Sequence, residues 1–556
     1  MAWFDHAVFY HIYPLGLTGA PKQNDYQMTE HRLNTLIPWI THIREIGCTA
    51  IYIGPLFESV GHGYETTDYK KLDSRLGDNA DLKNFVRTCH EQGIRVIFDG
   101  VFNHTGRDFF AFKDLKQNRE NSRYRDWYCN VNFWGNNEYN DGFSYENWGG
   151  YNLLVKLNQH NPEVRDYICD VIRFWVNAFD IDGIRLDAAD VLDFEFMRAL
   201  RQTANEVKED FWLMGEVIHG EYARWANENT LHSVTNYHLH KALYSGMNDH
   251  NFFEIAHTVQ RQMDLSQKLK LYNFVDNHDV ERIYTKLRNK AHFLPVHTLL
   301  YTLPGVPSIY YGSEFAIEGR KEQGSDDSLR PYLNYADFAN AVKENHNTAM
   351  IAILGKVRQH SKALCDGAYC QKVLTTTHYA FTREIPGEVV AVTANNDSNP
   401  TEMTVGVGCD ELYYGALTGQ QVQAVNGQIT VSVAGDSGEV WLPAHIKIED
   451  LKPVAIRPQP KPAAPKQETV KEVPVEKAEK PTTQTAVSAE TAPKQADTPV
   501  EQLDLSKPWE EMSVPELQAV VLQKLAANGP VTDRMRQDVA ENVYRDSLLN
   551  WVRSFR

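Results

Sequence analysis

The chain has 556 residues, 42% of them hydrophobic and 11% aromatic, with a net charge of −17 and seven cysteines. That length exceeds one compact core and predicts roughly two to four domains. The acidic balance argues against nucleic acid and anionic membrane surfaces as partners and is indifferent to a neutral substrate.

The cysteine number is odd and no pair has metal-ligand spacing, which predicts reduced thiols in a reducing compartment. The N-terminus lacks a basic stretch followed by an apolar run, and no segment reaches membrane-spanning length without charges. A cytoplasmic location is the expectation.

In chain order, strand-like runs fall at 7–13, 49–53, 95–99, 182–187, 212–216, 271–275 and 306–311. Helical periodicity lies between them at 33–47, 81–93, 162–179, 194–207 and 290–301. This alternation predicts βαβ units and a parallel sheet. An α/β fold of the (β/α)8 TIM-barrel type accommodates it, built from residues 1–102 and 159–345. Residues 103–158 interrupt the pattern, rich in Asn, Tyr, Phe, Trp and Gly and weakly periodic. Connections this long are functional or form a subdomain, here an excursion from the third βα-loop.

Residues 346–450 carry short alternating runs with Gly and Asn turns, which predicts a C-terminal antiparallel β-sandwich. Residues 451–508 contain no Phe, Tyr or Trp and are dominated by Pro, Lys, Glu, Thr, Ala and Gln; a disordered linker is expected. Residues 509–556 regain helical spacing, opened by a capping-box pattern at Ser513 and Glu516. A small helical module is expected there, either as a docking element for a protein partner or as a plain terminal bundle.

Carboxylates recur where barrel chemistry sits, at the C-terminal ends of strands. They are Asp99, Asp187, Glu216 and Asp279, with His104 and His278 close in sequence. One strand-end Asp is commonly a helix cap, but four desolvated together need a purpose. Paired carboxylates suit glycoside hydrolysis: one attacks the anomeric carbon, and one protonates the leaving oxygen and then activates water. Arg185, two residues before Asp187 on the same strand face, is expected to keep Asp187 ionised. Glu216 follows the apolar run Trp212-Leu213-Met214-Gly215, a setting suited to a general acid.

Four segments carry a resemblance: Asp99-Gly-Val-Phe-Asn-His104, Gly183-Ile-Arg-Leu-Asp187, Gly215-Glu216-Val217 and Phe274-Val-Asp-Asn-His-Asp279. In this order they resemble the four conserved regions of glycoside hydrolase family 13, the α-amylase family, over about residues 5–445. The resemblance implies Asp187 as nucleophile, Glu216 as acid/base and Asp279 as the third carboxylate. It further implies substrate binding by Tyr64, His104, Arg185 and His278. Val155-Lys156-Leu157-Asn158 resembles the form found in the neopullulanase and cyclomaltodextrinase branch. Asn103 matches a calcium ligand of the family, but Lys156 stands where another ligand would be, and an ammonium has no lone pair to offer. No cofactor and no calcium at that site are expected.

The implied activity is retaining hydrolysis of α-1,4-glucosidic bonds in an α-glucan. Transglycosylation shares the same covalent intermediate and stays open. A silent binding or scaffold protein tethered through residues 509–556 is the alternative of another class, disfavoured by the presence of all three carboxylates. Asp190 stands where typical α-amylases have lysine, which leaves acceptor preference open.

Overall fold

The computed structural model describes residues 2–28, 30–265, 269–449, 451, 508, 509, 512–528, 539, 548 and 552. Eight parallel strands form the central sheet: β1 Phe9–Ile12, β2 Ala50–Ile53, β3 Arg95–Gly100, β4 Gly183–Leu186, β5 Trp212–Gly215, β6 Ser233–Val234, β7 Tyr272–Asn273 and β8 Val306–Tyr310. Their spatial order is 6-5-4-3-2-1-8-7. A parallel bridge between Thr235 and Tyr272 joins the two ends, so the sheet closes into a barrel. Helices Asn79–Glu91, Pro162–Phe179, Phe194–Val207 and Phe293–Thr302 are among those between the strands. The α/β barrel expected from strand–helix alternation is therefore the observed fold.

Local chemistry explains where the elements begin. Asp78 caps the helix Asn79–Glu91 in a reciprocal capping box with Asp81. Asn161 caps Pro162–Phe179, and Pro162 occupies the first turn, where no amide donor is needed. The strands are buried on both faces, as parallel strands are. Phe9, Tyr52, Ile97, Trp212, Met214, Tyr272 and Phe274 belong to one apolar cluster within the barrel. Trp3 and Phe4 pack on Trp212, Phe4 stacking at 5.7 Å between ring centres.

β6 has no counterpart among the runs read from sequence. It is two residues long, Ser233–Val234, and too short to establish a period. The helices Tyr237–Asn248, Phe252–Leu265 and His346–His360 likewise went unread.

Between β3 and β4 the chain makes its excursion. A three-stranded sheet orders His104–Thr105, Tyr151–Lys156 and Asn147–Trp148, and the helix Phe110–Asn118 follows the first of these strands in the chain and precedes the other two. Leu157 N–H donates to Asn103 O at 3.0 Å, tying the two ends of the excursion together. After the barrel, Ala368–Leu374, His378–Ile385, Glu388–Asn395, Ser437–Pro443, Leu412–Gly415 and Gln421–Gln423 form an antiparallel sheet in that order. Thr401–Gly406 pairs with Gln428–Val433 beside it. Met403, Val405, Ile429, Val431 and Trp441 share a separate core.

The expected linker falls outside the described residues, apart from Leu451 and Pro508. Of the C-terminal module, the helix Val514–Asn528 is described. Ser513 donates from both its backbone N–H and its hydroxyl to Glu516 Oε2, at 2.7 and 2.8 Å. Met512, Leu517, Val520, Val521, Val539, Leu548 and Val552 form one buried cluster within this unit. All seven cysteines are unpaired. Among the described residues, no helix is long and apolar enough to cross a membrane.

Candidate active site

The barrel brings the strand-end carboxylates together around one guanidinium. Arg185 lies in β4 and Asp187 two residues later, on the same face. Arg185 Nη1 donates to Asp99 Oδ1 at 2.9 Å, to Asp99 Oδ2 at 3.1 Å and to Asp187 Oδ1 at 2.9 Å. Arg185 Nη2 lies 3.0 Å from Glu216 Oε1. A planar, permanently charged fork suits this shared grip, which a point charge would not supply. Burial opposes the charge on Arg185, but Asp99 and Glu216 hold the guanidinium firmly protonated.

Strand pairing fixes the spacing of Asp187 and Glu216. β4 and β5 run in register, Leu186 opposite Gly215, and each acid is the next residue along. Glu216 N–H donates to Leu186 O at 2.9 Å, which anchors the second acid to the first strand. Glu216 is further set by Ala188 N–H donating to Oε2 at 3.1 Å and Tyr237 OH donating to Oε1 at 3.3 Å. Ala188 takes a left-handed backbone conformation, φ 46°, to turn its amide toward the carboxylate.

Arg185 pulls Asp187 toward its ionised form, as expected, but it is not the largest influence on that carboxyl. Burial pushes the Asp187 carboxyl well above the ordinary range, and Glu216 and Asp99 add to that rise against the pull of Arg185. One guanidinium serving three carboxylates leaves surplus negative charge, and the surplus favours retaining a proton.

Asp279 lies on the other side of this group. His278 Nε2 is 3.0 Å from its Oδ2, and Arg330 Nη2 donates to its Oδ1 at 2.8 Å. Burial raises this carboxyl, but His278, Arg330 and Arg185 outweigh burial and hold it well below the usual range. Tyr64 OH bonds His278 Nε2 and, at 3.3 Å, Asp99 Oδ2. Tyr64 and His278 rings stack at 13°, and Tyr13 stacks on His278 at 14°. His104 Nε2 sits 3.1 Å from Tyr64 O, and burial lowers its pKa to about 3, so the ring is neutral. Gly54 makes room for Asp99, since a Cβ there would come within 2.2 Å of Asp99 Cβ.

All seven residues given catalytic or substrate-binding roles from sequence thus belong to one connected network, together with Asp99. Four partners were not read from the sequence: Tyr52, donating to Asp99 Oδ2 at 2.7 Å; Tyr237; Asn277, donating to Tyr237 OH at 3.2 Å; and Arg330. Tyr52 had a signal, because it lies in β2. Arg330 had none, because it follows a long irregular stretch.

Asp190 is a further acid close to Glu216. Burial first, and the Glu216 charge second, raise its pKa to about 7. A carboxyl raised in the folded state binds its proton more tightly folded than unfolded. Its contribution to stability therefore falls as pH rises from about 4, the unfolded value, toward the folded value of about 7. The variant Asp190→Asn is expected to gain in Tm over the parent at pH 8 and to gain little at pH 5. A difference that is flat across that interval, read by calorimetry, would refute the assignment.

At the calcium position that the family resemblance implies, both residues in question have protein partners. Lys156 Nζ bonds Glu146 Oε1. Asn103 Oδ1 accepts from Gln159 Nε2 at 3.2 Å. The ammonium takes the anionic partner, and the carboxamide oxygen is already engaged.

Comparison with known proteins agrees with this geometry. The Alpha-amylase family, described as "Alpha amylase, catalytic domain", matches residues 27–361. The cyclomaltodextrinase of Thermoanaerobacter pseudethanolicus is 30% identical over 421 residues, covering 71% of this chain and 71% of that protein. Neopullulanase 2 of Thermoactinomyces vulgaris is 29% identical over 463 residues, covering 79% and 78%. A solved cyclomaltodextrinase structure superposes with a TM-score of 0.71 at 24% identity, covering 79% of this chain and 78% of that one, a likeness of fold.

Proposed function

This chain belongs to the α-amylase family of glycoside hydrolases, and we propose that it cleaves α-1,4-glucosidic bonds of maltooligosaccharides and starch-type glucans by double displacement with retention. The observation that carries the reading is the Arg185 guanidinium joining Asp187 and Glu216 on adjacent, in-register strands. Neighbouring strands lie about 4.8 Å apart. That supports the separation of roughly 5–5.5 Å used for retention over the roughly 6.5–9.5 Å that leaves room for an inverting water.

In this reading Asp187 Oδ attacks the anomeric carbon while Glu216, as acid, gives its proton to the departing glycosidic oxygen. Water then enters, loses a proton to Glu216 and displaces Asp187, restoring both groups. The pair needs one proton between two carboxyls, and the surplus negative charge around Arg185 favours keeping one. Asp279, held ionised by His278 and Arg330, accepts hydroxyl hydrogen bonds from the same sugar. Tyr64 offers a ring face, and His104 and Arg185 complete the binding set. The reaction needs no calcium beside the site, since Lys156 and Asn103 are occupied by protein partners.

The test is an early time course of maltotetraose digestion followed by proton NMR, run with and without EDTA. The α-anomer is expected to appear first, at the same rate in both. First appearance of the β-anomer overturns the retaining mechanism, and a loss of rate with EDTA overturns the calcium-free reading.

A further inference from the structure

We infer that the excursion between β3 and β4 carries a second binding site for neutral α-glucan chains, centred on Trp134. The inference rests on the reading of the chain as a glucan-acting enzyme. Trp134 is 98% exposed, an extreme value for the most costly side chain to leave in water. Tyr151, 68% exposed, opens the strand Tyr151–Lys156, and Tyr139, 43% exposed, lies in a turn joined to that strand by the hydrogen bond from Asn152 Nδ2 to Glu138. Large apolar surfaces held in solvent mark binding sites.

The lobe's chemistry indicates which ligand. Residues 129–153 contain seven Asn and no Lys or Arg. Its acids are engaged internally: Asp141 accepts from both Nη atoms of Arg107 at 2.7 and 2.8 Å, Glu146 pairs with Lys156, and Glu138 accepts from Asn152 Nδ2. What faces outward is ring face and carboxamide: Asp141 and Glu146 are matched by the cations Arg107 and Lys156, and Glu138 is left as a single exposed anion. That combination fits a neutral polyhydroxylated chain, whose rings stack on aromatics and whose hydroxyls exchange hydrogen bonds with amides. The cations beside these residues, Arg107, Arg119 and Lys156, are each already paired with a carboxylate, so the surface favours neither a nucleic acid nor an acidic peptide.

The platform is also held in place before any ligand arrives. Asn132 pairs with Ser144 across an antiparallel bridge, and Asn132 Oδ1 accepts from Trp134 N–H at 3.0 Å. Asn136 Oδ1 accepts from Gly142 N–H at 3.0 Å, and Asn137 Nδ2 donates to Phe143 O at 2.9 Å. Gly135 allows the close approach, since a Cβ would come within 2.3 Å of Ser144 Oγ. The Arg107 guanidinium lies 3.8 Å from the Tyr139 ring centre and fixes that ring. A fixed turn reduces the ordering cost of binding.

The experiment uses the full chain and the double variant Trp134→Ala/Tyr151→Ala in affinity electrophoresis through gels containing soluble starch. Maltotriose hydrolysis and light scattering are measured on the same samples. The expected result is an apparent starch affinity weaker by about tenfold, with maltotriose turnover unchanged within about twofold. Equal retardation of parent and variant overturns the site, as does a parent that hydrolyses maltotriose but is not retarded. A change of oligomeric state in the variant overturns it too, because the rings would then be covering a second copy of the chain. Failure of the parent to hydrolyse any maltooligosaccharide is a separate outcome, which overturns the underlying functional reading and this inference with it.

Discussion

Replacing Asp187 with Asn is expected to lower turnover of maltooligosaccharides by on the order of 10⁴-fold or more while leaving the fold intact. The carboxamide keeps the shape of the side chain and can still accept from Arg185 Nη1, now 2.9 Å from Asp187 Oδ1. It cannot form the glycosyl ester, so both half-reactions fail. Stability should move the other way. Asp187 is raised by burial, Glu216 and Asp99, so at neutral pH its ionised form is a burden on the folded state. A neutral side chain relieves it, and the variant should unfold at an equal or higher temperature above about pH 5. Loss of activity with a retained or raised Tm separates chemistry from misfolding. Turnover within tenfold of the parent would remove Asp187 from the nucleophile's role.

The contrast between what was readable in the sequence and what was not follows from locality. Pro162–Phe179 and Phe194–Val207 are long, amphipathic and capped, so their bounds coincide with the expected ones. β6 is two residues, and β7 is shorter than its expected run, because barrel closure there rests on single bridges rather than on an extended ladder. Asp187, Glu216 and Asp279 were visible because each ends or follows a strand within a recognisable segment. Arg330 was not, because its relation to Asp279 spans 51 residues of chain and depends on how a loop folds back. The surroundings of Asp187 were read incompletely for a similar reason. Sequence spacing showed one cation beside one acid, whereas the barrel gives that cation two further carboxylates, Asp99 and Glu216, from neighbouring strands.

That sharing makes Arg185 the second sensitive position. The variant Arg185→Met keeps apolar volume and removes the charge that faces Asp99, Asp187 and Glu216. Removing one member of a buried ionic cluster strands the others, at a cost of about 3–5 kcal/mol. The cost should depend on pH in a definite direction. Without the guanidinium the folded carboxyls rise further above their unfolded values, so the deficit grows above about pH 4 and shrinks as acid protonates them. Arg185→Met should therefore be markedly less stable than the parent at pH 8 and closer to it at pH 5, and nearly inactive at both. Arg185→Lys restores charge without the fork. A single ammonium cannot meet Asp99, Asp187 and Glu216 at once from two separate nitrogens, so stability should largely return while turnover stays about 10²-fold low. The two variants together distinguish a charge requirement from a geometric one. If Arg185→Met unfolds at the parent's temperature at pH 8, the carboxylates are not relying on this guanidinium, and the clamp between Asp187 and Glu216 loses its place in the mechanism.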